Sequence, residues 1–195
     1  MYLIAGGRKY INQHEYYNTA FVIGPDGNDV FSQVKSVPVQ FMDDGVPATE
    51  RHVWDSPWGK IGICICYDVG YARVADDFVQ QGARGIIVPT MDATYWGEFE
   101  RRMLHGRVGP IRAAEYGIPV FGVWSSGISQ LIDSSGRIVA TAPYPGQGDT
   151  IIGSLDLSRP GRMPPDRPLA AASMIGTAIF ISYVAVTTFR SRRDI

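Results

Sequence analysis

Over the first 160 positions of this chain, apolar residues fall into three dense runs separated by stretches with a different period. From Ile61 to Cys66 almost nothing polar interrupts, and Ile61, Ile63 and Ile65 are β-branched, the pattern of a strand covered on both faces. Gly85 to Pro89 and Ile118 to Trp124 read the same way. Between the first two runs, Arg73 to Gln81 sets Val74, Phe78 and Val79 against a polar face, which predicts a helix closed by Gly82. Strand, helix, strand in that order predicts a βαβ unit with parallel strands. Upstream, Tyr2 to Ala5 reads as a short strand broken by Gly6-Gly7, followed by a polar loop from Arg8 to Tyr17. Asn18 to Ile23 and Val30 to Val34 flank Gly24-Pro25-Asp26-Gly27, a hairpin signal. Ser36 to Thr49 is an irregular loop, and His52 to Trp54 a short strand.

Downstream, Thr90 to Gly97 is a polar and aromatic loop. Glu98 to Tyr116 predicts a helix that Gly109-Pro110 disturbs and Gly117 ends. Ile128 to Ile132 and Arg137 to Ala140 form a second hairpin about Asp133-Ser134-Ser135-Gly136, and Ile151 to Leu155 a last strand. Pro160, Pro164, Pro165 and Pro168 make residues 158–168 a stiff linker. From Leu169 to Phe189 no residue is charged, and 21 helical residues span about 31 Å, the thickness of a bilayer core. Small hydroxyls such as Ser173, Thr177 and Ser182 are compatible with a membrane helix. The expected organisation is a domain over 1–157, a linker over 158–168, a transmembrane helix over 169–189 and a basic tail over 190–195.

Composition narrows the chemistry. The 195 residues hold enough chain for one sizeable core, and a net charge of −1 without a basic stripe gives no footprint for nucleic acid. Cys64 and Cys66 sit two apart in the predicted strand, where a bridge between them is strained. Two Cys and three scattered His supply no zinc spacing, and no cofactor motif is present, so neither metal nor cofactor is expected. Cys66 falls at the tip of a central strand, where open α/β sheets build their sites. By itself, a Cys in a buried strand is most often a small hydrophobe.

The surrounding motifs change that reading. GKIGICICYD resembles the nucleophile motif of the nitrilase (carbon–nitrogen hydrolase) superfamily, a strand ending in Cys-Tyr-Asp or Cys-Tyr-Glu. YYNTAFVIGPDG with VKSVPVQF upstream, and QQGARGIIVPTMDATYWG with IRAAEYGIPVFGVWSSGISQLIDSSGRIVA downstream, resemble the family's other segments in order, over residues 3–157. The resemblance implies an α-β-β-α sandwich and a Glu-Lys-Cys triad, with Cys66 as nucleophile and Lys35 as the catalytic lysine. Lys35 supplies positive charge for a thiolate and an oxyanion, and the backbone N–H of Tyr67 is a second oxyanion donor. Lys60 is read as a solvated lysine and Asp68 as outside the triad. Asp43 and Asp44 fall near the place of a supporting glutamate in the family, but read more simply as a solvated turn.

The family's base glutamate precedes the hairpin, and no Glu here holds that position, so the sandwich is expected to lack its N-terminal elements. A domain of this type followed by one membrane helix resembles the C-terminal part of the apolipoprotein N-acyltransferases. There, MDATYWG stands for an Asn-Asp-Ala-Trp loop. That resemblance implies N-acyl transfer through a Cys thioester, from a phospholipid donor to an amine acceptor. Hydrolysis of small amides is the alternative, and an inactive, truncated membrane protein a third. Arg190, Arg192 and Arg193 predict a cytoplasmic tail with the domain on the far side of the membrane. A homo-oligomer is compatible with the family.

Overall fold

The computed structural model describes residues 1–91, 106–142 and 148–191. It divides into one unit from Met1 to Met163 and a second from Pro164 to Ile195. In the first, β1 (Leu3–Tyr10), β2 (Tyr16–Ile23) and β3 (Asp29–Val34) form an antiparallel sheet. A second sheet has the order β4 (Trp54–Ser56), β5 (Gly59–Ile63), β6 (Gly85–Thr90), β7 (Val120–Trp124), β8 (Ser129–Ile132) and β9 (Ile138–Ala142). β5, β6 and β7 run parallel to one another, and the flanking pairs are antiparallel. α1 (Ala72–Gln80) crosses from β5 to β6 as the sequence predicts, and α2 (Gly106–Tyr116) precedes β7.

Alternation along β5 and its continuation sorts the core into two layers. Ile61, Ile63 and Ile65 pack with Ala20, Val22 and Trp54, joining the two sheets. Cys64 points the other way, into a cluster with Val74, Phe78, Ile86, Val88, Val120 and Tyr116, joining the second sheet to α1 and α2. One strand thus feeds two cores through its period of two. The layers among the described residues are sheet, sheet and helix. Gly62 shows how closely α1 lies: a Cβ there would come within 2.9 Å of the Phe78 ring.

Several expectations are corrected. Gly6-Gly7 does not break the first strand. β1 pairs with β2 from Leu3–Ile23 to Tyr10–Tyr16, and a Cβ on Gly7 would meet the Phe21 ring at 3.2 Å, so glycine marks a close approach and not an end. The predicted loop over 8–17 shrinks to a tight turn in which Asn12 Oδ1 accepts the N–H groups of His14 and Glu15. The short strand forms at Trp54–Ser56, slightly later than predicted. α2 runs through Gly109-Pro110 unbroken, and the bare Gly109 lets it lie against Ile132. Gly117, at φ +66°, ends it as predicted. No strand forms over 151–157, which lacks a ladder partner although Leu157 packs with Ile61 and Trp54. The predicted loop over 92–97 and helix start over 98–105 lie outside the described residues.

The first unit extends past residue 157, since Gly161 N–H donates to Ala83 O at 2.8 Å and Arg162 N–H to Tyr116 O at 2.9 Å. The second unit carries α3 (Asp166–Ser191). Pro168–Thr187 is long and apolar enough to cross a membrane, and none of that stretch is buried.

Gly62→Ala is expected to lower stability by about 1–3 kcal/mol through overpacking against Phe78. Phe78→Leu in the same chain should recover part of that loss, so denaturant unfolding of the two single variants and the double should be non-additive.

Candidate active site

The strand does not run to Cys66. β5 ends at Ile63, one further ladder bond joins Cys64 N–H to Ile87 O at 3.0 Å, and the chain then turns into a 3₁₀ helix over Cys66–Gly70. The reason is the carboxylate two residues beyond the thiol. Asp68 Oδ2 accepts the N–H of Ile65 at 3.1 Å, withdrawing that group from the sheet and bending the chain. Cys66 sits at the bend with φ +52°, a left-handed conformation uncommon for a residue with a Cβ. Strain of this kind persists where surrounding contacts over-determine it. Cys66 is partly exposed, whereas Cys64 is fully buried and burial pushes its thiol well above the ordinary range. Of the two thiols, only Cys66 is open to a reagent.

Lys35 comes from the other sheet. It follows the last residue of β3, its N–H donates to Asn18 O at 2.8 Å, and its side chain is only 2% exposed. Lys35 is therefore no solvated surface lysine, and a buried lysine almost always has a partner. That partner is Asp44, whose Oδ2 lies 2.5 Å from Lys35 Nζ. Asp44 Oδ2 also accepts Val39 N–H at 2.8 Å, and its Oδ1 accepts Asn18 Nδ2 at 2.7 Å. The solvated-turn reading of Asp44 is thereby corrected: it is the partly buried counter-charge of Lys35. Asp43 contributes its backbone carbonyl, which accepts from Tyr16 Oη at 2.8 Å. Lys60 lies at the surface, donating to Gln81 O at 3.2 Å.

Asp68 joins the two halves. Besides Ile65, it accepts Ser36 N–H at 3.1 Å and Val37 N–H at 2.7 Å. One carboxylate, 1% exposed, thus holds the residues immediately after Lys35 and the residue immediately before Cys66. Burial pushes its pKa up to about 6, against the pull of those three backbone N–H groups and of the Lys35 charge. Sequence reasoning passed over Asp68 as a non-member of the triad; its burial and its partners 31 and 32 residues upstream have no local signature. Tyr67 occupies the first turn of the 3₁₀ helix, where N–H groups have no intrahelical acceptor, and its ring packs on Tyr71 with centroids 5.1 Å apart. Among the described residues no group of His, Cys, Asp and Glu could hold a metal.

Asp68→Asn exchanges an acceptor oxygen for an N–H₂ group facing backbone donors. A loss of about 1–3 kcal/mol is expected in unfolding at pH 8, together with slower alkylation of Cys66. The wild-type carboxyl binds its proton more tightly folded than unfolded. Its contribution to stability is therefore complete below about pH 4 and is lost as pH rises through about 6. The Asn variant should lack that segment of the stability–pH curve. Retention of the segment would assign it to another group.

The family profile described as carbon-nitrogen hydrolase matches residues 1–164. An omega-amidase of Xenopus laevis is 27% identical over 163 residues, covering 74% of this chain and 58% of that protein. An apolipoprotein N-acyltransferase of Geobacter metallireducens is 25% identical over 148 residues, covering 66% of this chain and 28% of that protein. Among solved structures, a carbon-nitrogen hydrolase from Helicobacter pylori superposes with a TM-score of 0.65 at 18% identity, covering 73% of this chain and 58% of that one. A mutant amidase from Nesterenkonia sp. superposes with a TM-score of 0.66 at 19% identity, over 73% of this chain and 57% of that one. It carries the acetamide moiety of fluoroacetamide on its active-site cysteine. The chain thus spans somewhat under two thirds of the omega-amidase, the hydrolase and the amidase, and under a third of the acyltransferase. On the profile match across most of its length, supported by the fold, the chain belongs to the carbon-nitrogen hydrolase family.

Proposed function

We propose that this chain is a thiol amidase, with Cys66 as nucleophile and Lys35 and the Tyr67 N–H as donors to the oxyanion. The observation that supports the reading is the shared hold of Asp68 on Ser36, Val37 and Ile65, which ties the segment just after the buried Lys35 to the segment just before the partly exposed Cys66. The thiolate attacks the amide carbon, and the carbonyl oxygen takes up negative charge that the Lys35 ammonium and Tyr67 N–H offset. The C–N bond then breaks as its nitrogen takes up the proton that the thiol gave up, the amine leaves, and a thioester remains on Cys66. Attack by water on the thioester releases a carboxylic acid. Asp44 and Asp68 both have their oxygens engaged by donors, so they hold Lys35 and the loops and do not serve as the base. The amidases among the relatives and structural neighbours support hydrolysis over transfer.

A second reading is favoured by one feature, the apolar α3 helix. A membrane-anchored domain with its Arg190, Arg192 and Arg193 tail in the cytoplasm could pass the acyl group to an amine, as the name of the Geobacter relative describes for that protein. The two readings share the thioester and differ in what attacks it. The substrates in the first are small amides, and in the second a phospholipid acyl donor with an amine acceptor.

Incubating the chain with short-chain amides, quenching in acid and mapping peptides by mass spectrometry is expected to place an acyl group on Cys66 and none on Cys64. Lys35→Met should slow acylation about 10²-fold or more, the usual effect of removing an oxyanion donor. Added hydroxylamine should release a hydroxamate, and an amine acceptor should outcompete water only under the second reading. No adduct with any amide or phospholipid donor would reduce the domain to a binding role.

A further inference from the structure

The turn that begins at Cys66 is five residues of 3₁₀ helix, a form that rarely holds itself together in isolation. Asp68 fixes its entry. Its exit is held from a different element. Arg112, on α2, donates Nε to Val69 O at 2.9 Å and Nη2 to Gly70 O at 3.0 Å. Its Nη1 pairs with Glu115, one turn further along the same helix. All three guanidinium nitrogens are thus engaged, two of them on the last carbonyls of the turn that starts with the thiol. The guanidinium is planar and its donors are fixed in direction, so two carbonyls bound to it are fixed relative to each other as well as to α2. The Arg112 side chain is 12% exposed, so little water competes. α2 is in turn fastened to α1, through Tyr116 Oη to Asp76 Oδ1 at 2.8 Å and to Ala72 O at 3.2 Å.

We propose that Arg112 is a positioning residue for the nucleophile: it clamps the Val69 and Gly70 carbonyls and so sets the direction in which Cys66 Sγ and Tyr67 N–H point. Carbonyls at the end of a helical turn have no intrahelical donor, and Val69 is 5% exposed, so loss of the clamp leaves a buried acceptor unsatisfied. The cheapest relief is for the turn to unwind toward water, which moves the thiol at its other end. Glu115 engages the remaining guanidinium nitrogen. A lysine at 112 has a single charged nitrogen that cannot reproduce the two-carbonyl geometry. The inference rests on the reading of Cys66 as the nucleophile.

The test uses the full chain and two readouts. The first is the rate of Cys66 alkylation by iodoacetamide, located by peptide mass spectrometry with buried Cys64 as internal reference. The second is amide hydrogen exchange over residues 65–71. Arg112→Ala is expected to slow alkylation at least tenfold and to speed exchange of that peptide. Methylguanidinium should restore much of the rate, and Arg112→Lys should not. Tyr116→Phe removes a different anchor of the same helix. It should lower the melting temperature while leaving Cys66 reactivity within twofold of wild type. If Tyr116→Phe slows Cys66 as much as Arg112→Ala does at equal loss of melting temperature, Arg112 is merely structural and the proposal is overturned. Unchanged exchange in Arg112→Ala overturns it too. Wild-type Cys66 reacting no faster than Cys64 defeats the nucleophile reading instead, and the exchange comparison still decides whether Arg112 holds the turn.

Discussion

A single buried carboxylate decides the geometry of this domain's working end. Asp68 is surrounded by protein, and an ionised carboxylate in such a place is costly unless donors surround it. Here the donors are three backbone N–H groups from two segments about thirty residues apart in sequence, Ser36 and Val37 on one side and Ile65 on the other. Those segments leave different sheets. Neither can swing away without stranding the charge, so the carboxylate works as a joint between the sheets where their ladders have ended.

The rest of the structure serves that joint. The two faces of β5 bury Ile61 and Ile63 between the sheets and Gly62 and Cys64 toward the helices, which fixes the strand in depth and rotation. Rigid scaffolding of this kind lets a strained residue persist at the strand's exit, and Cys66 in its left-handed conformation is such a residue. On the opposite side, Asp44 gives the buried Lys35 a counter-charge and ties it to Asn18 and Val39. A lysine so held is a fixed charge, which is what the proposed amidase reading requires beside an oxyanion.

The dense apolar runs made the parallel strands legible, because a strand buried on both faces has a composition that little else imitates. The helix over 73–81 was legible from its period, and Gly82 and Gly117 from their positions after it and after α2. Cys66, Lys35 and Tyr67 were singled out only through ordered motifs, and their roles stay a proposal; nothing in local chemistry distinguishes Lys35 from Lys60. Glycine misled twice. Gly6-Gly7 and Gly109 look like breaks, yet the strand and the helix run through them, with Gly7 close against Phe21 and Gly109 against Ile132. The roles of Asp44 and Asp68 were hidden because both depend on partners brought together by folding. The end of β5 was misplaced for the same reason, since the group that ends it is a side chain capturing a backbone N–H.

The central claim is that Cys66, Lys35 and the Tyr67 N–H meet around one reacting carbonyl. A crystal structure of the chain after reaction with fluoroacetamide tests this most directly. The account predicts an acetamide on Cys66 Sγ whose carbonyl oxygen lies about 2.7–3.2 Å from both Lys35 Nζ and Tyr67 N. An adduct on Cys66 with its oxygen turned to solvent, and Lys35 still bound to Asp44 alone, would contradict it.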